Sequence, residues 1–160
     1  MTVYKLFRVR NGKLYPLYVE AGRELPVGEW LPAAVGEMVD ETHVKASGCG
    51  GKLSLRPGFH STLTPFTDWI GKRMPDGTLA QRKDTVWAKC RIRGRKLNVN
   101  GSRKLLRGWY LFRTNAKQKE PWIISDELMI ERVLTHREVS HICRKHGCVA
   151  QRTEAEYEAV

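Results

Sequence analysis

The segment from Thr85 to Arg93 alternates apolar and polar residues with the two-residue period of a β-strand. One face is apolar and is formed by Val86, Ala88, Cys90 and Ile92. The opposite face carries cations and one aromatic ring, from Trp87, Lys89, Arg91 and Arg93. Because one face must pack on a core while the other meets water, the segment predicts a sheet with a basic, aromatic-bearing outer surface.

Local signals elsewhere predict how this sheet is connected. Asn11-Gly12 and Asn100-Gly101 are favoured two-residue turns between apolar runs, and they indicate antiparallel hairpins. Thr135 and Glu138 have the spacing of a capping box and predict a helix over residues 136–146, while Thr64-Pro65 predicts a short helix near 65–70. The fold class expected is α+β, a twisted and mostly antiparallel sheet with two or three short helices.

Length and composition are those of one domain. The chain has 160 residues, 41% of them hydrophobic, which suffices for a single core over residues 1–160, with 151–160 as a short polar helix or a frayed tail. No apolar run approaches the roughly 20 residues of a membrane-spanning helix. Four scattered cysteines do not make a disulfide framework, so a cytoplasmic protein with reduced thiols and no membrane partner is expected. The pattern does not indicate an oligomeric state.

Positive charge is concentrated in one stretch of the chain. Lys and Arg total 28 against 17 Asp and Glu, and residues 82–119 hold 13 of those bases with one acid, so the rest of the chain has a net charge of −1. A protein made basic for solubility alone would spread its charge. The concentration therefore predicts a polyanionic partner, and nucleic acid is the commonest one in a cell.

The predicted nucleic-acid surface combines phosphate-binding cations with rings for base stacking. Trp87 is the predicted stacking residue, and Trp109 in the next strand-like segment offers a second ring. The cations predicted to meet phosphates are Lys89, Arg91, Arg93, Arg95, Lys96, Arg103, Lys104 and Arg107. Two alternatives remain open: an ordinary solvated sheet face, and an inhibitor that docks on an acidic protein or on a host nucleic-acid enzyme.

Three potential metal ligands lie close together near the C-terminus, at Cys143, His146 and Cys148. Their spacing matches no familiar zinc knuckle, so no metal site is predicted. In the helix predicted over residues 136–146, the helical period places Cys143 and His146 on the buried stripe with Val139 and Ile142. Cys143 is therefore expected to be a core thiol.

Several short segments, in order, resemble an uncharacterised family of proteins from bacteriophages and other mobile elements. They are Leu14-Tyr-Pro-Leu17, Trp30-Leu31, Arg56-Pro-Gly-Phe-His60, Val86-Trp-Ala88 and Trp122-Ile-Ile-Ser125. The resemblance implies an accessory protein of phage type that acts in the cytoplasm of a host cell. It implies no particular activity.

A fainter similarity is to the ADP-ribosyltransferase fold, and it implies an alternative function with NAD as the cofactor. In that resemblance Arg8 holds a phosphate, His60 or Ser61 binds the nicotinamide ribose, and Glu127 stabilises the oxocarbenium-like centre or activates the acceptor. The three catalytic candidates Arg8, His60 and Glu127 must then meet around one cleft. The competing interpretation is that Glu127 and Glu131 are exposed strand carboxylates. The leading prediction is a binding protein that needs no cofactor.

Overall fold

The structure, a computed structural model, describes residues 1–17, 20–33, 39–42, 53–55, 58–67, 75, 84–98, 107–113 and 118–158. These residues form ten strands: β1 (Thr2–Arg10), β2 (Lys13–Tyr15), β3 (Trp30–Pro32), β4 (Val39–Thr42), β5 (Leu53–Leu55), β6 (Phe59–Ser61), β7 (Thr85–Arg91), β8 (Trp109–Phe112), β9 (Trp122–Ser125) and β10 (Glu127–Val133). The two helices are α1 (His136–Lys145) and α2 (Glu154–Glu158).

The strands form a five-stranded sheet in the order β2-β1-β7-β10-β3, a three-stranded sheet in the order β6-β9-β8, and the pair β4-β5. Every pairing between these named strands is antiparallel. With the two short helices, this confirms the predicted α+β class. The predicted Asn11-Gly12 hairpin is confirmed too, with both residues in the left-handed region (φ 49° and 73°) that such a turn requires. Asn100-Gly101 lies outside the described residues.

Two short bridges join the larger sheets into a ring of strands. Thr62, just after β6, exchanges two backbone hydrogen bonds of 2.8 Å with Tyr4 of β1. On the other side, Trp109 of β8 donates to the Arg95 carbonyl and accepts from the Leu97 amide, at 3.0 and 2.7 Å. Because β1 and β7 are neighbours, the three-stranded sheet is tied at both edges to the central pair of the larger sheet.

The first half of β7 is covered on both of its faces. Thr85, Val86, Trp87 and Ala88 are all buried in succession. Successive burial along a strand means that both sides are packed, since alternate residues point to opposite faces. Part of the cover comes from α2, whose Tyr157 hydroxyl accepts from the Trp87 amide at 2.9 Å and donates to the Leu134 carbonyl at 2.8 Å.

Helix α1 begins at the predicted capping box. The Thr135 hydroxyl accepts from the Glu138 amide at 3.3 Å, and the Glu138 carboxylate accepts from the Thr135 amide at 2.9 Å. Val139 and Cys143 are buried, as the helical period predicts. His146 was expected on the same stripe, and this is wrong: the helix ends at Lys145, and His146 is its exposed C-cap.

The C-terminal segment is a docked helix and not a frayed tail. Beside α2, the Gln151 side-chain amide donates to the Thr67 carbonyl at 2.8 Å and its oxygen accepts from the Thr67 amide at 3.3 Å. The helix predicted near 65–70 is not present over 65–67, and 68–70 lie outside the described residues. Instead of capping a helix, the Thr64 hydroxyl donates to Glu120 at 3.0 Å. Within the described segments, no helix is long and apolar enough to cross a membrane.

Lys5 of β1 reaches strand β6 with its ammonium group. Its ammonium donates to the His60 carbonyl at 2.8 Å and lies 5.7 Å from the centre of the Phe7 ring. Although the residue as a whole is only half-buried, the ammonium is withdrawn from water, and this burial lowers the pKa of Lys5 to about 8.

We predict that Lys5 makes stability increase with pH. Above pH 8 the folded protein releases a proton that the unfolded chain keeps until its ordinary pKa of 10.5, so the free energy of unfolding rises between these values. The slope for one proton is at most about 1.4 kcal/mol per pH unit. Urea unfolding of the wild type and Lys5→Met at several pH values measures this effect. The free energy of unfolding of the wild type minus that of the variant should rise across this window.

The comparison with Lys5→Met removes the contribution of other groups. Burial raises the pKa of Cys90, Cys143 and Tyr157 to about 12, and these groups lower stability as pH rises above their ordinary values in both proteins. A difference between the two proteins that stays constant from pH 7 to 10.5 would show that the Lys5 pKa is not depressed.

Candidate nucleic-acid interface

The outer face of β7 past its buried half carries a ladder of ion pairs. Lys89 and Arg91 both contact Glu131 of β10, at 3.0 and 3.6 Å. The register between β7 and β10 shifts between Ile130 and Arg132, so Glu131 is the extra residue of a β-bulge. A bulge redirects a side chain, and here it places one carboxylate between two cations of the neighbouring strand.

Arg93 continues this ladder with a stronger pair. Its guanidinium donates two hydrogen bonds to Glu127, at 2.7 and 2.8 Å, and lies 4.3 Å from the centre of the Trp30 ring. Bidentate pairing of this kind fixes both side chains. Accordingly, Arg93 lowers the pKa of the Glu127 carboxyl, and Glu127 raises the pKa of Arg93. Arg93 is therefore held across β10 and β3 and does not project freely into solvent.

Trp87 is not available for base stacking, and this corrects the sequence prediction. Its side chain is 4% exposed and belongs to the hydrophobic core with Leu6, its partner on β1. The alternation of Thr85–Arg93 describes only the second half of the strand, because the first half is packed on both faces. Tyr157, which bonds to the Trp87 backbone, is 70 residues away in the chain.

Three other predicted cations, Arg95, Lys96 and Arg107, are exposed and have no ion-pair partner in the part of the chain that the structure describes. Among the residues that the structure describes, none of the three lies within 4.0 Å of a carboxylate oxygen. The Lys96 ammonium lies 5.9 Å from the centre of the half-buried Trp109 ring. Arg107 is close enough to Glu127 to lower its pKa, so these residues adjoin the ladder. We call Arg95, Lys96, Arg107 and Trp109 the Trp109 cluster.

Two glycines bring the segments of the Trp109 cluster together. Gly94 and Gly108 both have positive φ, 87° and 140°, and their backbones cross at close range. A Cβ on Gly94 would come within 2.8 Å of the Gly108 Cα, and a Cβ on Gly108 would overlap the Arg95 carbonyl oxygen. Only glycine permits this approach, which sets the chain carrying Arg95 directly beside the one carrying Arg107.

The remaining predicted phosphate contacts, Arg103 and Lys104, lie outside the described residues. Sequence reasoning also missed three determinants of the site: Trp30, which stacks on Arg93, and the glycines at 94 and 108. Both glycines lie within the basic stretch of the chain, but nothing local in the sequence pairs one with the other. No local signal connects Trp30 to Arg93.

Arg8 and His60, candidates for an NAD site, each have an internal partner. The Arg8 side chain is 3% exposed, donates to the Leu17 carbonyl at 2.7 Å and lies 3.8 Å from Asp84. The His60 ring is half-buried and meets the Trp122 ring edge-on at 5.9 Å between centres.

Glu127 does not join Arg8 around one cleft. Arg8 is opposite Thr85 at one end of β7, and Glu127 pairs with Arg93, eight residues farther along the chain. Eight residues of extended chain span about 26 Å, too far for both side chains to touch one glycosidic centre. Arg8 and Glu127 therefore do not meet around one cleft, as the transferase-like arrangement requires. Glu127 is instead a strand carboxylate that pairs with Arg93.

Cys143 is a buried thiol that contacts the Pro65 carbonyl at 3.7 Å. Burial raises its pKa to about 12, so the thiolate, which is the metal-binding form, is disfavoured. In the described part of the chain, no three His, Cys, Asp or Glu side chains group as metal ligands would.

Comparison with protein-family models, with curated proteins and with solved structures found no match for this chain. The resemblance to proteins of phages and mobile elements therefore stays a prediction. What the molecule does has to be inferred from its own geometry.

We predict that Gly108→Ala breaks the crossing that builds the Trp109 cluster. The new Cβ combines a strained φ with an overlap on backbone, so the free energy of unfolding should fall by at least about 2 kcal/mol. Two matched variants separate these causes. Gly12→Ala adds strain in open space and should lose about 1 kcal/mol, whereas Gly22→Ala adds neither and should stay within about 0.5 kcal/mol of wild type. A loss for Gly108→Ala no larger than that for Gly12→Ala would contradict the close crossing.

Proposed function

We propose that the protein binds nucleic acid through the Trp109 cluster. The observation that carries the proposal is a contrast within one surface. On β7 and just beyond it, Lys89, Arg91 and Arg93 are matched by carboxylates of β10. The three cations of the Trp109 cluster adjoin this ladder, yet none of them is matched by any described carboxylate. Unmatched cations held side by side repel one another, and a polyanion relieves that repulsion.

Nucleic acid is the polyanion that fits this cluster best. Two of its cations are arginines, whose planar guanidinium groups bind phosphate oxygens in bidentate fashion. The half-buried Trp109 ring lies beside the Lys96 ammonium, and rings among cations are typical of surfaces that hold unpaired bases. The surrounding stretch of residues 82–119 adds further positive charge, with 13 bases and one acid.

The ion-pair ladder supports the binding surface in a different way. Lys89 and Arg91 share the single carboxylate of Glu131, which leaves one positive charge in excess beside the cluster. Arg93, fixed between Glu127 and Trp30, provides a rigid border. A rigid border limits the conformational entropy that is lost when a ligand binds. The proposed function requires neither a cofactor nor a catalytic step.

The test is binding as a function of salt. Single- and double-stranded RNA and DNA of about 16 residues are titrated with protein by fluorescence anisotropy from about 50 to 200 mM salt. Wild-type affinity should fall steeply with salt. The variant R95Q/K96Q/R107Q removes three phosphate contacts, and we expect the slope of log K against log salt to become shallower by about 2 to 3.

A matched control removes the same charge elsewhere. R10Q/K13Q/R23Q also lowers the net charge by three, but at the β1–β2 hairpin and the loop after it, where Lys13 and Arg23 pair with Glu24 and Glu20. This control should change the slope by less than about 1. No binding by the wild type at the lowest salt, or equal effects of the two triple variants, would overturn the proposed function.

A further inference from the structure

The outer face of α1 carries a second set of exposed basic side chains. At about 100° per residue, Arg137, His141 and Arg144 fall within about 60° of arc, and Lys145 lies on the adjoining edge. All four side chains are exposed, on the side of the helix opposite the buried Val139 and Cys143. The stripe is about 12 Å long, since each residue rises about 1.5 Å.

This stripe is as poor in carboxylates as the Trp109 cluster. The acid of α1, Glu138, accepts from the Thr135 amide and is paired with Arg132 of β10. Within the described segments, no carboxylate oxygen lies within 4.0 Å of Arg137, Arg144 or Lys145.

Helix stabilisation explains only part of this charge. Arg144 and Lys145 are in the last turn, where cations interact favourably with the helix dipole. Arg137 is in the first turn, where a cation is unfavourable for the same reason. Its exposure on one line with Arg144 therefore needs a cause other than the stability of α1.

The position of α1 places the stripe far from the Trp109 cluster. The Leu134 amide, just before α1, bonds to the Trp87 carbonyl, whereas the Arg95 carbonyl bonds to Trp109. Trp87 and Arg95 are eight residues apart, so at most about 26 Å of chain separates them, because β7 ends at Arg91 and the chain turns at Gly94. A stacked nucleic acid rises about 3.4 Å per residue, so a ligand of about eight residues is long enough to cover this distance.

We propose that the α1 stripe, formed by Arg137, His141, Arg144 and Lys145, is a second phosphate-binding surface for the same nucleic-acid ligand, which extends from the Trp109 cluster to α1. This inference rests on the proposed function and adds a ligand length, about eight residues, that is sufficient to reach both surfaces. Arg137, Arg144 and Lys145 neutralise phosphates. Arg132, which pairs with Glu138 of α1, is the register partner of Lys89, so the ladder adjoins the helix.

The experiment compares R137Q/R144Q/K145Q with the control R10Q/K13Q/R23Q, using the nucleic acid that the wild type binds most tightly. Glutamine preserves helix propensity, and thermal melting checks that both variants fold. On a ligand of about 16 residues, the helix variant should bind at least about tenfold more weakly at low salt than the control, with a salt slope shallower by about 2 to 3. On a ligand of about three residues, which rises only about 10 Å, the two variants should bind alike.

The outcomes separate the two proposals. If R95Q/K96Q/R107Q loses binding while the helix variant matches the control on the long ligand, the α1 surface is overturned and the proposed function stands. If the helix variant loses as much affinity for the short ligand as for the long one, relative to the control, the proposal that one ligand bridges the two surfaces is likewise overturned. If the wild type binds no nucleic acid, both proposals fall together.

Discussion

The structure depends on strand β7 being hydrogen-bonded along both edges, to β1 on one side and to β10 on the other. This double pairing buries the first half of the strand on both faces and leaves the second half as a surface. Where the strand ends, Gly94 redirects the chain across Gly108 into the other sheet. The buried half of β7 therefore fixes the position of the chain that carries Arg91, Arg93 and Arg95.

Charge matching then divides the basic stretch into two parts with different properties. Cations that lie opposite β10 are held by Glu127 and Glu131, and they tie strands together. Exposed pairs of this kind contribute little to stability individually, but a bidentate pair stacked on a ring has a fixed geometry. Beyond the end of β10, Arg95 and Arg107 have no such partners among the described residues. The net charge alone does not separate the cations that tie strands together from those with no ion-pair partner among the described residues, whereas the pattern of ion pairs does.

Sequence reasoning succeeded where the determinant was local. The turn at Asn11-Gly12 and the capping box at Thr135 depend on neighbours within three residues, and the antiparallel character of the sheet followed from such signals. It failed for Trp87, whose burial depends on packing partners distant in sequence, such as the α2 helix, 70 residues away. The pairing of Arg93 with Glu127, 34 residues away in the chain, could not be predicted from the local sequence either. The alternation of a single strand shows which residues share a face but not what covers that face.

We propose that the cations without an ion-pair partner among the described residues bind the ligand, while the paired ones hold the sheet together. Following the side-chain Nε–H signals of the arginines by NMR, as nucleic acid is added to the wild-type protein, tests this division. The signals of Arg95 and Arg107 should shift with added ligand, because their guanidinium groups exchange water for phosphate. The Arg93 signal should stay in place, because its Nε–H is already donated to Glu127 at 2.7 Å. A shift of Arg93 with no change at Arg95 and Arg107 would contradict the account.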